Sequence, residues 1–241
     1  MEIDKLQRHW NRLGASDAMW AILTDPEKRN RAWNAEEFFA TGRTLMGGVL
    51  EKARALNASF ARGRALDFGC GIGRLTQALA GHFENAVGVD IAPAMIQAAK
   101  DQNRAPGRCE YLVNGRPDLS LFADAEFDFV FSTIVLQHVR TEYAERYIAE
   151  FLRVLRPGGL AVFQVPDRPA HTMIGTALRV LPMWAVRPVR KMDMYPVPRG
   201  RVEAIVAAGG ARLLAAEPNF ESGPHWTAYR YFAEKNRGGR S

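Results

Sequence analysis

An acidic residue and three glycines lie close together in a segment that could hold a ligand. Asp67 is near the end of a short apolar run, and Gly69, Gly71 and Gly73 follow at alternate positions before a helical pattern begins. Glycine lets the backbone turn tightly and lets a ligand lie against main-chain N–H groups near the positive end of the following helix. The pattern therefore predicts a ligand-binding turn between a strand and a helix.

Dinucleotide-binding proteins use a similar turn, and glycine spacing separates the two kinds of site. Counted from Gly69, the dinucleotide fingerprint requires a further glycine at the position that Arg74 occupies. The sequence instead resembles the class I S-adenosylmethionine (SAM)-dependent methyltransferases, whose pattern Asp-x-Gly-x-Gly-x-Gly is matched at residues 67–73, with further similarity over about residues 64–166. The resemblance implies SAM as the cofactor, S-adenosylhomocysteine (SAH) as its product, and no metal ion.

Residues that end or follow the next apolar runs complete the cofactor site that the resemblance implies. A carboxylate at Asp90 can accept hydrogen bonds from both hydroxyls of a ribose, or it can serve only as a helix N-cap. Asn114 can reach the adenine amino group through its carbonyl oxygen, or the Asn-Gly pair simply forms a turn. Ile91 and Met95 are expected to flank the adenine, and residues 132–134 to adjoin the methionine portion. The implied cofactor residues are Asp67, Gly69, Cys70, Gly71, Gly73, Asp90, Ile91, Met95, Asn114, Gly115, Ser132, Thr133 and Ile134.

An arginine in the N-terminal part of the chain is a further candidate cofactor contact. Arg43 can pair with the carboxylate of SAM in bidentate fashion while Phe39 covers the sulfonium side. The alternative is a helix that packs its aromatic face on the sheet and leaves Arg43 in solvent.

Three polar residues beyond the fourth and fifth apolar runs are candidates for catalysis. Methyl transfer is an in-line displacement from a sulfonium, so positioning supplies much of the rate and no base is obligatory, although a hydroxyl acceptor benefits from one. Gln137 and His138 follow the fourth run and Asp167 follows the fifth, so all three are expected to face the acceptor. A packing or capping role for His138 is the alternative, and His171 or His225 could instead be the base.

The elements that must position these residues form a regular series. From residue 64 onward, short apolar runs alternate with helical patterns, which is typical of a parallel sheet covered on both faces. Strands are predicted at residues 64–68, 86–90, 109–113, 127–132, 159–165, 211–218 and 226–234, and helices at 73–82, 93–103, 141–155 and 199–208. With the resemblance, this pattern predicts an α/β fold: a Rossmann-like, seven-stranded, mostly parallel sheet with an antiparallel last strand.

The chain is expected to form one structural domain overall. Residues 1–60 are predicted to be a helical N-terminal cap, and residues 61–241 the SAM-binding domain. An insertion at about residues 168–198 contains several prolines among apolar and basic residues, and is expected to be a mobile cover for the acceptor. From Arg168 to Arg201 there are seven basic residues and one acid, Asp193. A pair of helices packed permanently on the sheet is the alternative.

Composition narrows the class of protein. Hydrophobic residues make up 47% of the chain and charged residues 24%, which is ordinary for a soluble globular protein. Apolar runs such as residues 159–165 are strand-sized, far below the ~20 residues of a membrane span, and the N-terminus has no secretory pattern, so a cytoplasmic location is expected. Cys70 and Cys109 indicate neither a disulfide framework nor a metal site.

Several functions remain open at this point. The leading interpretation is methyl transfer to an oxygen or nitrogen of a small natural-product or sugar-type metabolite, with the basic segment holding an anionic acceptor. Alternatively, residues 173–184 with Arg187, Arg190 and Lys191 contact a membrane surface, and the acceptor is a lipid or quinone. Nucleic-acid methylation is disfavoured, since the chain lacks the motif that binds a flipped base. A non-catalytic SAM-binding protein is a further alternative, and a monomer or homodimer is expected.

Overall fold

A computed structural model describes residues 3–172, 174–176 and 193–237 of the chain. Its helices are α1 (Ile3–Ile22), α2 (Ala35–Ala55), α3 (Arg74–Ala80), α4 (Pro93–Asp101), α5 (Thr141–Val154) and α6 (Arg199–Ala208). Its strands are β1 (Arg64–Phe68), β2 (Asn85–Asp90), β3 (Cys109–Val113), β4 (Phe127–Ser132), β5 (Leu155–Pro169), β6 (Ala211–Asn219) and β7 (Trp226–Lys235).

The strands form one sheet in the order β3-β2-β1-β4-β5-β7-β6. Strands β1 to β5 pair in parallel, and β7 is antiparallel to both β5 and β6. This confirms the predicted fold. The strand order reverses direction between β1 and β4, and such a switch point opens a crevice at the carboxyl ends of the strands. The glycine-rich turn and residues 132–134 therefore lie side by side.

The central strand β4 is buried on both faces of the sheet. Every residue from Phe127 to Ser132 is buried, because helices cover the sheet on both faces. On one face, the rings of Phe129 and Phe131 stack 6.4 Å apart, and α2 and α3 cover them. On the other face, Val130 packs with residues of α5, including Phe151. The sheet is thereby a rigid support for the loops at its carboxyl edge.

The N-terminal helix α1 lies across the loops that follow β2. The side-chain amide of Gln7 donates to the carbonyl oxygen of Ile91 at 2.9 Å, and the backbone N–H of Ala94 donates to Asn11 Oδ1 at 2.8 Å. The helix is kinked at Asp17, whose φ and ψ are −149° and 75°. The two hydrogen bonds attach the N-terminal half of α1 to the segment that follows β2.

Strand β5 is longer than the sequence pattern indicates. It was expected at residues 159–165 but extends over Leu155–Pro169, because Leu155 pairs with Phe127 of β4 at one end and β7 pairs with the strand as far as Pro169 at the other. Pro166 follows the predicted end of the strand and has no backbone N–H to donate to a neighbouring strand. A shift of register between Pro166 and Arg168 accommodates the proline, as bulges commonly do. Asp167 consequently belongs to the strand and not to a loop beside the site.

The expected cover at residues 168–198 is described only near its ends. The backbone N–H of Tyr195 donates to the carbonyl oxygen of Gln137 at 2.8 Å, and that of Val197 donates to Pro166 at 2.9 Å. This end is therefore attached to β5 and to the loop after β4. Met173 and residues 177–192, which include the basic and apolar residues of the membrane hypothesis, lie outside the described residues. None of the helices described is long and apolar enough to cross a membrane.

Three basic residues at the borders of this segment have acidic partners. Arg168 pairs with Asp167, Arg199 with Glu203, and Arg201 with Glu145. These arginines carry part of the positive charge that the sequence analysis assigned to an anionic acceptor. Their ion pairs lie outside the residues that line the cavity described next.

Candidate functional site

A cavity of about 760 Å³ opens at the carboxyl ends of β1, β2 and β4, beneath α1 and α2. Its volume lies within the roughly 300–1,000 Å³ of small-molecule sites. The cavity is where the fold predicts a ligand, at the switch point of the sheet. Of the residues that the sequence analysis singled out, those that line it are Gly69, Cys70, Gly71, Asp90, Ile91, Met95, Asn114, Thr133, Ile134, Gln137 and His138.

The turn after β1 requires glycine at three positions. Gly69, Gly71 and Gly73 have φ values of 75°, 54° and 82°, in the left-handed region where side chains are strained. Space is also lacking: a Cβ on Gly69 would lie 2.2 Å from Cγ2 of Val135, and one on Gly71 would lie 2.5 Å from Cδ1 of Ile22. Gly69 and Gly71 therefore present bare backbone to the cavity, whereas Gly73 does not line it, and α1 packs closely against the turn through Ile22.

Asp90, at the end of β2, holds this turn in place. Its Oδ2 accepts a hydrogen bond from the backbone N–H of Gly71, and its Oδ1 accepts one from Ala92, both at 2.9 Å. Desolvation raises the pKa of Asp90, and the two backbone donors act against this shift. Each carboxylate oxygen keeps a further lone pair. Asp90 can therefore cap α4 and still accept hydrogen bonds from a ligand.

Asp67 lies beneath the turn and does not line the cavity. Its side chain is buried, and its Oδ2 accepts a hydrogen bond from Thr76 Oγ1 at 2.7 Å. Burial raises the pKa of Asp67 to about 6, although the Thr76 hydroxyl and the charge of Arg74 oppose the shift. Asp67 thereby links β1 to α3 beneath the turn, and its contact with the cofactor stays a prediction.

Arg74 is a candidate that the sequence analysis overlooked. The side chain is buried, lines the cavity, and donates from Nη1 to Thr41 Oγ1 at 3.2 Å. Across the described parts of the chain, its Nε has no hydrogen-bond partner and no carboxylate forms an ion pair with it. Burial lowers the pKa of Arg74, while the charges of Asp67 and Glu221 raise it. A buried cation with an unused donor at a cavity suits an anionic group of a ligand.

The Asn114-Gly115 pair forms a local turn at the adenine side expected from the sequence. Asn114 Nδ2 donates to the carbonyl oxygen of Asp118 at 2.8 Å, and the backbone N–H of Arg116 donates to Asn114 Oδ1 at 3.2 Å. Asn114 lines the cavity, whereas Gly115 lies outside it, near the amide of Gln7. The turn expected as the alternative is present, and the Asn114 carbonyl oxygen retains one lone pair for a ligand.

The loop after β4 has an unusual backbone at the cavity. Ile134 has a φ of 60°, which is rare for a β-branched residue. Its N–H donates to the side-chain oxygen of Gln164 on β5 at 3.0 Å. Thr133 and Ile134 line the cavity, while Ser132 is buried behind them with no hydrogen-bond partner for its hydroxyl in the described part of the protein.

Gln137 and His138 belong to a buried hydrogen-bond network. Ser222 Oγ donates to Gln137 Oε1 at 2.9 Å, Gln164 Nε2 donates to Ser222 Oγ at 2.6 Å, and Gln137 Nε2 donates to His138 Nε2 at 3.1 Å. The ring of His138 meets Trp10 of α1 edge-on, with centroids 5.6 Å apart. The network orients both predicted catalytic residues before a ligand binds.

The hydrogen bonds of His138 identify its tautomer. Its Nδ1 lies 3.2 Å from the carbonyl oxygen of Asp193, which can only accept, so Nδ1 carries the proton and Nε2 accepts from Gln137. Burial lowers the pKa of His138 to about 4, so the ring is neutral at physiological pH. Both nitrogens are already engaged, which weakens the expectation that His138 is the base.

Arg43 and Asp167 also lie away from the cavity. Arg43 is on the exposed face of α2, where it pairs with Glu36 at 2.5 Å, so the solvated alternative describes it. The backbone N–H of Arg199 donates to Asp167 Oδ1 at 2.8 Å, and Arg168 pairs with the other oxygen, so Asp167 anchors the start of α6. Neither Arg43 nor Asp167 lines the cavity.

The loop between β6 and β7 contributes residues that no local pattern indicated. Glu221, Ser222 and Gly223 line the cavity opposite α1. They are about 150 residues from the glycine-rich turn in sequence and reach the site only because β7 lies beside β5.

Comparison with known proteins identifies the domain to which the site belongs. Residues 66–163 match the family described as the methyltransferase domain. Residues 66–163 of the chain are therefore similar to a methyltransferase domain. Over its sheet and helices, the chain is similar to magnesium protoporphyrin IX methyltransferase from Synechocystis PCC 6803 with bound SAH, with a TM-score of 0.67, 17% identity, and coverage of 98% of this chain and 100% of that one. At 17% identity, this similarity establishes a shared fold and nothing more specific.

Curated relatives match the methyltransferase domain over part of their length. A trans-aconitate 2-methyltransferase from Variovorax paradoxus is 29% identical over 163 residues, covering 62% of this chain and 58% of that protein. A 24-methylenesterol C-methyltransferase 2 from Oryza sativa subsp. japonica is 36% identical over 103 residues, covering 41% of this chain and 28% of that protein. The match thus spans less than two thirds of either relative.

Proposed function

We propose that this protein transfers a methyl group from SAM to an oxygen or nitrogen of a small-molecule acceptor. The observation that carries the proposal is Arg74, a buried guanidinium among the residues that line the cavity, whose Nε has no hydrogen-bond partner in the described part of the chain. It lies one residue beyond the glycine-rich turn of a methyltransferase domain. The methionine portion of SAM ends in a carboxylate, which a guanidinium recognises by charge-assisted hydrogen bonds.

The remaining cavity residues fit the other parts of SAM. Gly69 and Gly71 let a ligand lie against bare backbone. Asp90 offers carboxylate lone pairs for the ribose hydroxyls, and Ile91 and Met95 supply an apolar border for the adenine. Bound SAM supplies an electrophilic methyl group on a positively charged sulfur. The protein holds the acceptor in line with that group and keeps water out beneath α1 and α2.

The kind of acceptor is part of the proposal. The relatives are named for acceptors as different as trans-aconitate and a sterol. We propose that the acceptor is a small molecule of metabolite size. The cavity has a volume of about 760 Å³ and is bounded by α1 and α2 on one side and by the strand ends of the sheet on the other, which limits the size of the acceptor. The expectation of an anionic acceptor came from the segment between Arg168 and Arg201, whose described arginines have acidic partners.

Calorimetry with three proteins tests the cofactor assignment. The wild type should bind SAM, and Arg74→Gln should weaken binding by about 10- to 100-fold, the value of hydrogen bonds to a charged partner. Arg43→Gln is the matched control, because Arg43 has an exposed ion pair of little energetic value. Equal losses in both variants, or no binding by the wild type, would contradict the proposal.

A methyl-transfer assay tests the activity itself. Purified protein is incubated with SAM labelled on the methyl group and a panel of phenols, alcohols, amines and carboxylates, and labelled product is measured. Turnover of at least one hydroxyl or amine acceptor is expected. SAM binding without transfer to any member of a broad panel would favour the non-catalytic alternative.

A further inference from the structure

Glu221 is a charged cavity residue that the cofactor assignment leaves unused. It lies between β6 and β7, next to Thr133 at the end of β4. Three donors converge on a single one of its carboxylate oxygens: Thr133 Oγ1 at 2.5 Å, Asn219 Nδ2 at 3.0 Å and Arg230 Nη2 at 2.8 Å all donate to Oε2. An oxygen with three donors belongs to an ionised carboxylate held in one orientation.

The second oxygen of Glu221 is free to act on a ligand. Within the described parts of the chain, Oε1 accepts no hydrogen bond. The side chain is 24% exposed and lines the cavity, so a ligand can reach this oxygen. The other candidate bases differ in this respect, because both nitrogens of His138 and both oxygens of Asp167 are engaged.

The position of Glu221 places it near the reacting atoms. Thr133 and Ile134 follow β4 at the switch point, and Arg74 defines the end of the cavity that takes the methionine carboxylate. Glu221 contacts Thr133, and its charge raises the pKa of Arg74, so it lies at the same end of the cavity. This region is where the sulfur and its methyl group lie under the proposed function.

We propose that Glu221 is the catalytic base of the methyl transfer and that the acceptor presents an O–H or N–H group to its Oε1. This inference rests on the proposed function. The acceptor heteroatom forms a bond to the methyl carbon as the carbon–sulfur bond breaks, and the electron pair of that bond remains on sulfur. The heteroatom–hydrogen bond breaks with its electron pair left on the heteroatom, and the proton passes to Oε1 and then to water.

The charge of Glu221 also selects the acceptor. A carboxylate acceptor has no proton to give and carries a negative charge that Glu221 repels at short range. The site therefore favours a neutral hydroxyl or amine over the anionic acceptor expected from the basic segment. Oε1 could instead accept a hydrogen bond from the α-ammonium group of SAM. Binding measurements distinguish this contact from a contact with the acceptor.

The test compares Glu221→Gln with Glu217→Gln, an acid of β6 that pairs with Lys52 outside the cavity. Glutamine keeps an oxygen for the three donors and removes the charge. Affinities for SAM and SAH are measured by calorimetry, and rates with hydroxyl, amine and carboxylate acceptors are compared. We expect Glu221→Gln to lose about 5-fold in SAM affinity relative to SAH, because a charge beside the sulfonium is removed.

The rate with a hydroxyl or amine acceptor should fall by about 10²- to 10⁴-fold in Glu221→Gln, the usual contribution of a general base, and Glu217→Gln should behave as the wild type. Formate should restore part of the rate in Glu221→Ala, which a structural role would not allow.

Two binding results would overturn the proposal. Equal losses of SAM and SAH affinity in Glu221→Gln would assign Oε1 to the α-ammonium, and unchanged affinities for both would mean that the Glu221 charge does not lie beside the sulfonium. Should Glu221→Gln fail to fold, Glu221→Asp, which keeps the charge but withdraws the oxygen, replaces it in the rate measurement, where a loss of rate is expected and an unchanged rate would overturn the proposal. Failure of the wild type to bind SAM would instead reject the proposed function.

Discussion

Gln164 on β5 holds the backbone of Ile134 through a hydrogen bond of 3.0 Å from the Ile134 N–H to Gln164 Oε1. Ile134 has a φ of 60°, a conformation that costs a β-branched residue roughly 1–3 kcal/mol. Gln164 is fully buried, and its amide group also donates to Ser222. One side chain therefore fixes the loop at the end of β4 and the polar wall of the cavity.

Replacing Gln164 should reveal this support. In Gln164→Leu, the Ile134 N–H loses its partner, and each buried donor left unpaired costs about 1–3 kcal/mol. Adding Ile134→Gly should recover part of the loss, since glycine adopts a positive φ without strain. A double-mutant cycle measured by chemical denaturation checks the coupling, with Gln97→Leu on the exposed side of α4 as control. Strictly additive effects would mean that Gln164 does not support Ile134.

Asp67 should give the protein a measurable pH dependence of stability. Its folded pKa of about 6 lies above the ordinary 3.8, so between these values the folded state binds more protons than the unfolded state. Its contribution to stability therefore falls as pH rises from about 4 to 6, and the deficit above pH 6 is about 3 kcal/mol. Asp67→Asn removes this titration. The stability of the variant relative to the wild type should improve over that interval in denaturation experiments, and a constant difference would contradict the assignment.

His138 should titrate in the opposite sense. Its folded pKa of about 4 lies below the ordinary 6.5, so the stability it contributes is complete above pH 6.5 and is lost as pH falls towards 4. Nitrogen-15 NMR of labelled protein should show a neutral ring protonated on Nδ1 at pH 5.5, with His138→Asn used to assign the signal. A protonated ring, or the Nε2–H tautomer, would show that the hydrogen bonds to Asp193 and Gln137 are absent in solution.

Asp90 should matter for both the turn and the cofactor. Asp90→Ala removes the acceptor of the Gly71 and Ala92 N–H groups together with the oxygens proposed for the ribose. We expect SAM affinity to fall by about 10- to 100-fold, as for other charged hydrogen-bond partners. Asp101→Asn, at the exposed end of α4, is the control. Calorimetry that found lost turnover with unchanged SAM affinity would exclude Asp90 as a cofactor ligand.

Local sequence patterns were sufficient to predict the strands and the glycine-rich turn that support the site. Strand β4 is a run of apolar residues because both faces of a central parallel strand are covered, and such a run is visible without the fold. The turn from Gly69 to Gly73 was equally visible, because its backbone conformation restricts the residue type at each glycine. Asp90 could be predicted as a site residue because it lies at the end of the second predicted strand.

Tertiary structure decided which polar side chains meet the cavity. Arg43 and Arg74 are both arginines near the expected site, yet α2 directs Arg43 to solvent while α3 buries Arg74 beside the glycine-rich turn. Glu221 and Gln164 carry no local signature, because their contacts depend on β7 and β5 pairing far along the chain. Periodicity reports which face of an element is buried, whereas the direction and partners of a single polar side chain depend on packing between distant elements.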